Sequence, residues 1–142
     1  MTPGTKGVKL LRNPSTVVTK EEDEHYRSGT GLMIFLIKHS RPDLNNPVRE
    51  LSKALDCPSP AAYKEMLRVM KFSIDTEELG SFINPYEQEI GMWEILAFSA
   101  SDFAFDIETR ISVARFIIYV IGAQISWRSK GMKSVTLTSS EA

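Results

Sequence analysis

The chain has 142 residues, 42% hydrophobic and 25% charged, ordinary proportions for a globular protein with a core of its own. A formal net charge of −1 argues against a free-standing nucleic-acid binder, and the single cysteine, Cys57, excludes an internal disulfide and a cysteine-based zinc site. The longest apolar run near the N-terminus, Leu32–Ile37, is far too short to span a bilayer, and Met1–Thr19 has no apolar signal-peptide core; an intracellular protein, cytoplasmic or nuclear, with no membrane partner is expected.

Residues 1–20, with Pro3, Gly4, Gly7 and Pro14, read as a flexible lead-in. Glu21–His39 predicts the first helix. Its four leading acids favour a helix N-terminus, and Tyr26, Leu32, Met33, Phe35, Leu36 and Ile37 supply a buried side. Gly29 and Gly31 each weaken such a helix by about 1 kcal/mol, which points to close packing against another segment. Pro42 stops it. Asn46-Pro47 predicts the start of a second helix carrying Val48, Leu51, Ala54 and Leu55, and Ser59-Pro60 the start of a third carrying Ala62, Met66, Val69 and Met70. Lys64, Arg68 and Lys71 share another face of the third helix. Such a stripe is a solvated face or a track for a nucleic-acid backbone.

Residues 73–92 read as an acidic, turn-rich linker with one short candidate strand at Ser81–Asn84. Beyond it, apolar runs rich in Ile, Val, Phe, Tyr and Trp predict strands at Trp93–Ser99, Arg115–Ile121, Ala123–Arg128 and Met132–Thr138. Ser139, Ser140 and Glu141 have the makings of a helix start.

Charge is segregated along the chain. Residues 1–71 are net positive, residues 72–108 hold nine acidic side chains and no basic one, and residues 109–140 hold Arg110, Arg115, Arg128, Lys130 and Lys133 with no acid. Solvated faces account for this pattern. So does a carboxylate-rich, metal-dependent centre flanked by phosphate-holding surfaces.

A series of short motifs then becomes informative by its order. It comprises Tyr26-Arg27-Ser28, Ser40-Arg41-Pro42-Asp43-Leu44, Val48-Arg49-Glu50-Leu51-Ser52, Met66-Leu67-Arg68-Val69-Met70-Lys71, Ser99-Ala100-Ser101-Asp102-Phe103-Ala104 and Ile125-Ser126-Trp127-Arg128-Ser129-Lys130. Ser134-Val135-Thr136-Leu137 and Ser139-Ser140-Glu141-Ala142 follow. From Tyr26 to Ala142 the series resembles the Pol polyprotein of copia-type LTR retrotransposons, across the end of the reverse transcriptase and the start of its RNase H domain.

The resemblance implies an α+β fold in which N-terminal helices precede a truncated RNase H-like mixed β-sheet. Residues 21–72 would be the thumb- or connection-like C-terminal part of a reverse transcriptase, and residues 93–142 a partial RNase H-like domain. It implies template–primer or RNA–DNA hybrid as partner, the rest of the Pol polyprotein as a second partner, and Mg²⁺ as cofactor, since two dications need several converging carboxylates. The leading metal-binding aspartate falls on Ala100, a glycine before Asp106 on Phe105, and a glycine of the second strand on Arg115. Glu141 matches the second catalytic acid. Asp102, two residues from Ala100 on the same strand face, is the substitute ligand to consider, and both acids are the candidate catalytic and metal-binding residues. Lys64, Arg68, Lys71, Arg128, Lys130 and Lys133 are the candidate nucleic-acid contacts. With alanine at 100 and no polymerase Tyr-x-Asp-Asp signature, the expectation is a Pol fragment inactive alone, without productive Mg²⁺ binding. The alternatives are a piece of a longer working RNA-directed DNA polymerase and RNase H, or a remnant that binds nucleic acid without cutting it.

Overall fold

The computed structural model describes residues 3–4, 10, 14–80, 93–102 and 111–132. The chain divides into two compact units, Met1–Gly80 and Ser81–Ala142.

The first unit is helical. Helix α1 spans Lys20–His39, a short 3-10 turn spans Pro42–Leu44, α2 spans Asn45–Ser52 and α3 spans Pro60–Asp75. Helix α1 starts on a capping box. The Thr19 hydroxyl accepts from the Glu22 amide at 3.3 Å, and the Glu22 carboxylate accepts from the Thr19 amide at 3.0 Å. Tyr26, Gly29, Thr30 and Met33 form its buried stripe, at helical spacing. Leu32 and Phe35, expected on the buried side, face solvent instead, because the apolar run is wider than the stripe its neighbours cover. Ser59 caps α3 by accepting from the Ala62 amide at 3.1 Å, with Pro60 in the first turn as expected. The second helix departs from its expected start. The 3-10 turn feeds directly into it at Asn45, Leu44 stands at the cap without a side-chain bond, and Pro47 lies inside the first turn.

Tyr26, Met33, Leu44, Val48, Leu51, Met66 and Val69 are buried together, with Leu10 from the lead-in against them. Truncating any of the larger ones to alanine removes transfer free energy and leaves a cavity, at a cost of about 2–5 kcal/mol. The Tyr26 hydroxyl donates to the Leu51 carbonyl at 2.7 Å, and burial pushes its pKa from 10.0 up to about 12. Gly29 is where α3 comes close: a Cβ there would lie 2.8 Å from the Met66 sulfur and 3.0 Å from that of Met70. Gly31 has no such reason among the described residues, none of which comes within 4 Å of a Cβ built on it.

Arg41 is the buried charge of this unit. It donates to both Asp43 carboxylate oxygens at 2.9 and 2.8 Å, and to the Thr76 hydroxyl at 2.9 Å. It also reaches the Ser73 and Thr76 carbonyls at 3.2 and 3.0 Å. Those carbonyls belong to the C-terminal end of α3, where cations are favoured and carbonyls lack helical partners. The guanidinium carbon sits 5.9 Å from the centre of the Phe72 ring. The Asp43 carboxylate raises the Arg41 pKa above its already high value. The Ser-Arg-Pro-Asp motif therefore ties the start of one helix pair to the end of α3.

The second unit holds a three-stranded sheet in the order β1-β2-β3, with β1 at Ile95–Asp102, β2 at Val113–Val120 and β3 at Ala123–Gly131. Both pairings are antiparallel, so the described sheet is not the mixed sheet expected. Ladder pairing moves the strand ends: β1 starts later and runs on to Asp102, β2 starts at Val113, and β3 reaches Gly131. A two-residue turn, Ile121 with φ 49° and Gly122 with φ 75°, joins β2 to β3. Positive φ at both central residues matches the strand twist, but a β-branched residue is strained in the first of them. The register slips by one residue beside Ile118 and Tyr119, which leaves Ile125 as a bulge. The expected strands Ser81–Asn84 and Met132–Thr138, and the helix start at Ser139, lie at or beyond the edge of the described residues, as do Phe105, Asp106 and Arg110. No helix among the described residues is long and apolar enough to cross a membrane.

Candidate functional site

The register fixes what each face of the sheet carries, because residues directly opposite in an antiparallel pair share a face and neighbours along a strand alternate. One face carries Phe98, Ala100 and Asp102 from β1, and Val113, Arg115 and Ile117 from β2. Ala100 is opposite Arg115, and Asp102 is opposite Val113. The Asp102 carboxylate accepts a hydrogen bond from Arg115 Nη2, forming a diagonal ion pair two residues along the ladder on the same face. Both side chains are half-exposed, so the pair contributes at most about 1 kcal/mol. Its chemical consequence is larger than its stability. The carboxylate expected from the sequence as the substitute ligand already faces a cation.

This arrangement does not fit Mg²⁺. Ala100 offers a methyl group, which cannot ligate a metal. Beside it a guanidinium, not an oxygen ligand, points at the remaining acid. Among the described residues no three His, Cys, Asp or Glu side chains come together to hold a metal ion. Glu141 lies outside the described residues.

The opposite face carries Ser99 and Ser101 from β1, Ala114, Phe116 and Ile118 from β2, and Ser126, Arg128 and Lys130 from β3. Ser99, Phe116 and Arg128 form one row across three strands, and Ser101, Ala114 and Lys130 form the next. Arg128 and Lys130 are exposed, and Phe116 is 39% exposed. Neither basic residue forms an ion pair among the described residues, and the described strand residues on this face include no Asp or Glu.

The basic stripe on α3 is different. Arg68 pairs with Glu65 at 3.5 Å and Lys71 with Asp75 at 3.2 Å, while Lys64 is exposed. Those local pairs compensate two of its three charges. Lys133 lies outside the described residues. Of the six basic candidates, the structure thus brings Arg128 and Lys130 onto one open face and leaves Arg68 and Lys71 compensated. Two residues of the site were not read from the sequence: Arg115 as the partner of Asp102, and Phe116 as the ring beside Arg128. Only the β1–β2 and β2–β3 registers reveal them.

No family model matches the chain, and no solved structure matches it. Among known proteins it is similar to secreted RxLR effector protein 161 of Plasmopara viticola, 30% identical over 116 residues that cover 82% of this chain and 79% of that protein. It is also similar to the retrovirus-related Pol polyproteins from transposons RE2 and RE1 of Arabidopsis thaliana, each 28% identical over 141 residues, 99% of this chain. Those 141 residues span 9% of the length of either polyprotein.

Proposed function

We propose a function from one premise: the chain belongs to a family that includes the Plasmopara viticola protein and the retrovirus-related Pol polyproteins of Arabidopsis transposons. It corresponds to a copia-type Pol segment that runs from the last helices of reverse transcriptase into the first strands of RNase H. It holds nucleic acid and does not cut it. Polymerisation and RNA cleavage are carried, in this reading, by other parts of a Pol polyprotein.

One observation supports the non-cleaving role above the others: Ala100 sits where the resemblance puts the leading metal ligand, and Arg115 opposite it engages the carboxylate of Asp102. Metal-assisted hydrolysis needs anionic oxygens converging on the ions. A neutral methyl and a guanidinium at that point oppose a dication. The holding role is supported by Arg128 and Lys130, exposed on a face whose described strand residues include no acid.

The test is incubation of the full chain with an end-labelled RNA–DNA hybrid in the presence of Mg²⁺ or Mn²⁺. The hybrid is expected to stay intact while its mobility shifts in a salt-dependent way. Metal-dependent cleavage that disappears in Asp102→Asn would overturn the reading and return Asp102 to the role of a ligand.

A further inference from the structure

We infer that the sheet face turned away from Asp102 is a binding platform for single-stranded nucleic acid, with Phe116 as the base-stacking ring and Arg128 and Lys130 as the phosphate contacts. This rests on the nucleic-acid-holding reading and specifies its substrate and its surface.

The arrangement carries the inference in three steps. A partly exposed phenyl ring in the middle strand of a sheet presents a flat apolar surface, and every nucleobase has a π-face to lay on it. The residue directly opposite that ring on β3 is Arg128, with Cβ atoms about 5 Å apart in such a pair, so one base and the phosphate beside it are served together. Lys130 projects from the same face about 7 Å further along β3, within reach of the next phosphate of an extended strand. Ser99, opposite Phe116 on its other side, is exposed and adds a hydroxyl donor and acceptor for a base edge or a sugar.

Charge selects the class of ligand. The described strand residues of this face carry two cations and no acid, so a polyanion is favoured. The ring selects the single strand, because bases inside a duplex or hybrid are already stacked on their neighbours and cannot reach Phe116. The platform also differs from the α3 stripe, where Glu65 and Asp75 neutralise Arg68 and Lys71.

Fluorescence anisotropy of the full chain with a labelled single-stranded oligonucleotide of about ten nucleotides tests this. Phe116→Leu keeps apolar bulk but removes the π-face, and is expected to weaken binding by roughly 5- to 150-fold. Phe116→Trp is expected to retain or tighten it, which separates stacking from loss of fold. Arg128→Ala/Lys130→Ala is expected to lower the slope of log affinity against log salt by about 1.4, because two phosphates of the single strand are no longer neutralised. Phe116→Leu binding as tightly as wild type, with the double basic variant still weakened, overturns the stacking platform and leaves the nucleic-acid-holding reading intact. Absence of binding to both the single strand and the hybrid overturns the two together.

Discussion

Replacing Arg41 by methionine is expected to cost the helical unit about 3 kcal/mol. The magnitude follows from what the guanidinium touches. Its side chain is 7% exposed and makes five hydrogen bonds, to Asp43 twice, to the Thr76 hydroxyl, and to the Ser73 and Thr76 carbonyls. Breaking a buried charge pair from one side costs about 3–5 kcal/mol. The Asp43 side chain is 39% exposed and recovers hydration when its partner goes, which places the loss at the lower end of that range. Methionine restores part of the apolar contact with Phe72. Arg41→Lys keeps the charge without the planar fork, so it is expected to lose roughly half as much. The assay is thermal and urea unfolding of the full chain, followed by far-UV circular dichroism. For a unit of this size, 3 kcal/mol corresponds to a fall in Tm of roughly 12–24 °C. A double-mutant cycle with Asp43→Asn is expected to return a coupling of about 1–2 kcal/mol. If Arg41→Met unfolds within about 0.5 kcal/mol of wild type, Arg41 is not the tie between the Ser-Arg-Pro-Asp turn and α3.

Tyr26 predicts an alkaline transition. Its folded pKa of about 12 stands above the unfolded 10.0, so its contribution of about 2–3 kcal/mol is complete below pH 10 and is lost as pH rises through about 12. Tyr26→Phe is expected to abolish that pH-dependent loss while lowering stability at neutral pH by about 0.5–1.5 kcal/mol, because the Leu51 carbonyl loses the hydroxyl but keeps the Ala54 amide at 3.1 Å; pH-resolved urea melts read both effects. Gly31→Ala is expected to stabilise α1 by about 1 kcal/mol, since a methyl there meets no described residue within 4 Å. Gly29→Ala gains less than Gly31→Ala, because the Met66 and Met70 thioethers must swing aside; equal gains in Tm would show that Gly29 is not a close contact. Ile121→Asn relieves a β-branched residue at φ 49° and is expected to raise the stability of the hairpin by about 1 kcal/mol, read as slower hydrogen exchange of β2 and β3 amides.

The helices were legible where local chemistry decides them. Ser59-Pro60 names its own role, and the spacing of Ala62, Met66 and Val69 names the face that is buried. Thr19 and Glu22 also spell a capping box, obscured by the run of acids that places the apparent helix start downstream of Thr19. Asn46-Pro47 misled because the cap pattern is local, whereas the true start of α2 is set by a 3-10 turn held in place by Arg41 and residues more than thirty positions away. The three described strands were legible as apolar runs, but their ends were not. Ala100, Ser101 and Asp102 are poor strand formers that join β1 because Val113 to Arg115 pair with them. The site was the least legible part. That Asp102 meets Arg115, and that Phe116 lies beside Arg128, depends on register, and a shift of one residue would send each side chain to the other face.

The Asp102–Arg115 pair also bears on what a carboxylate introduced at residue 100 would meet. An aspartate placed at 100 would stand directly opposite Arg115, which would bind it as readily as it binds Asp102. The new carboxylate would be neutralised on arrival, and no dication would gain a ligand from it. Replacing Arg115 alone would strip Asp102 of its partner and still leave a methyl at 100. Neither step improves metal binding by itself. The ion pair is a latch, closed by two residues on neighbouring strands, and a metal ligand set on this face requires residues 100 and 115 to change together.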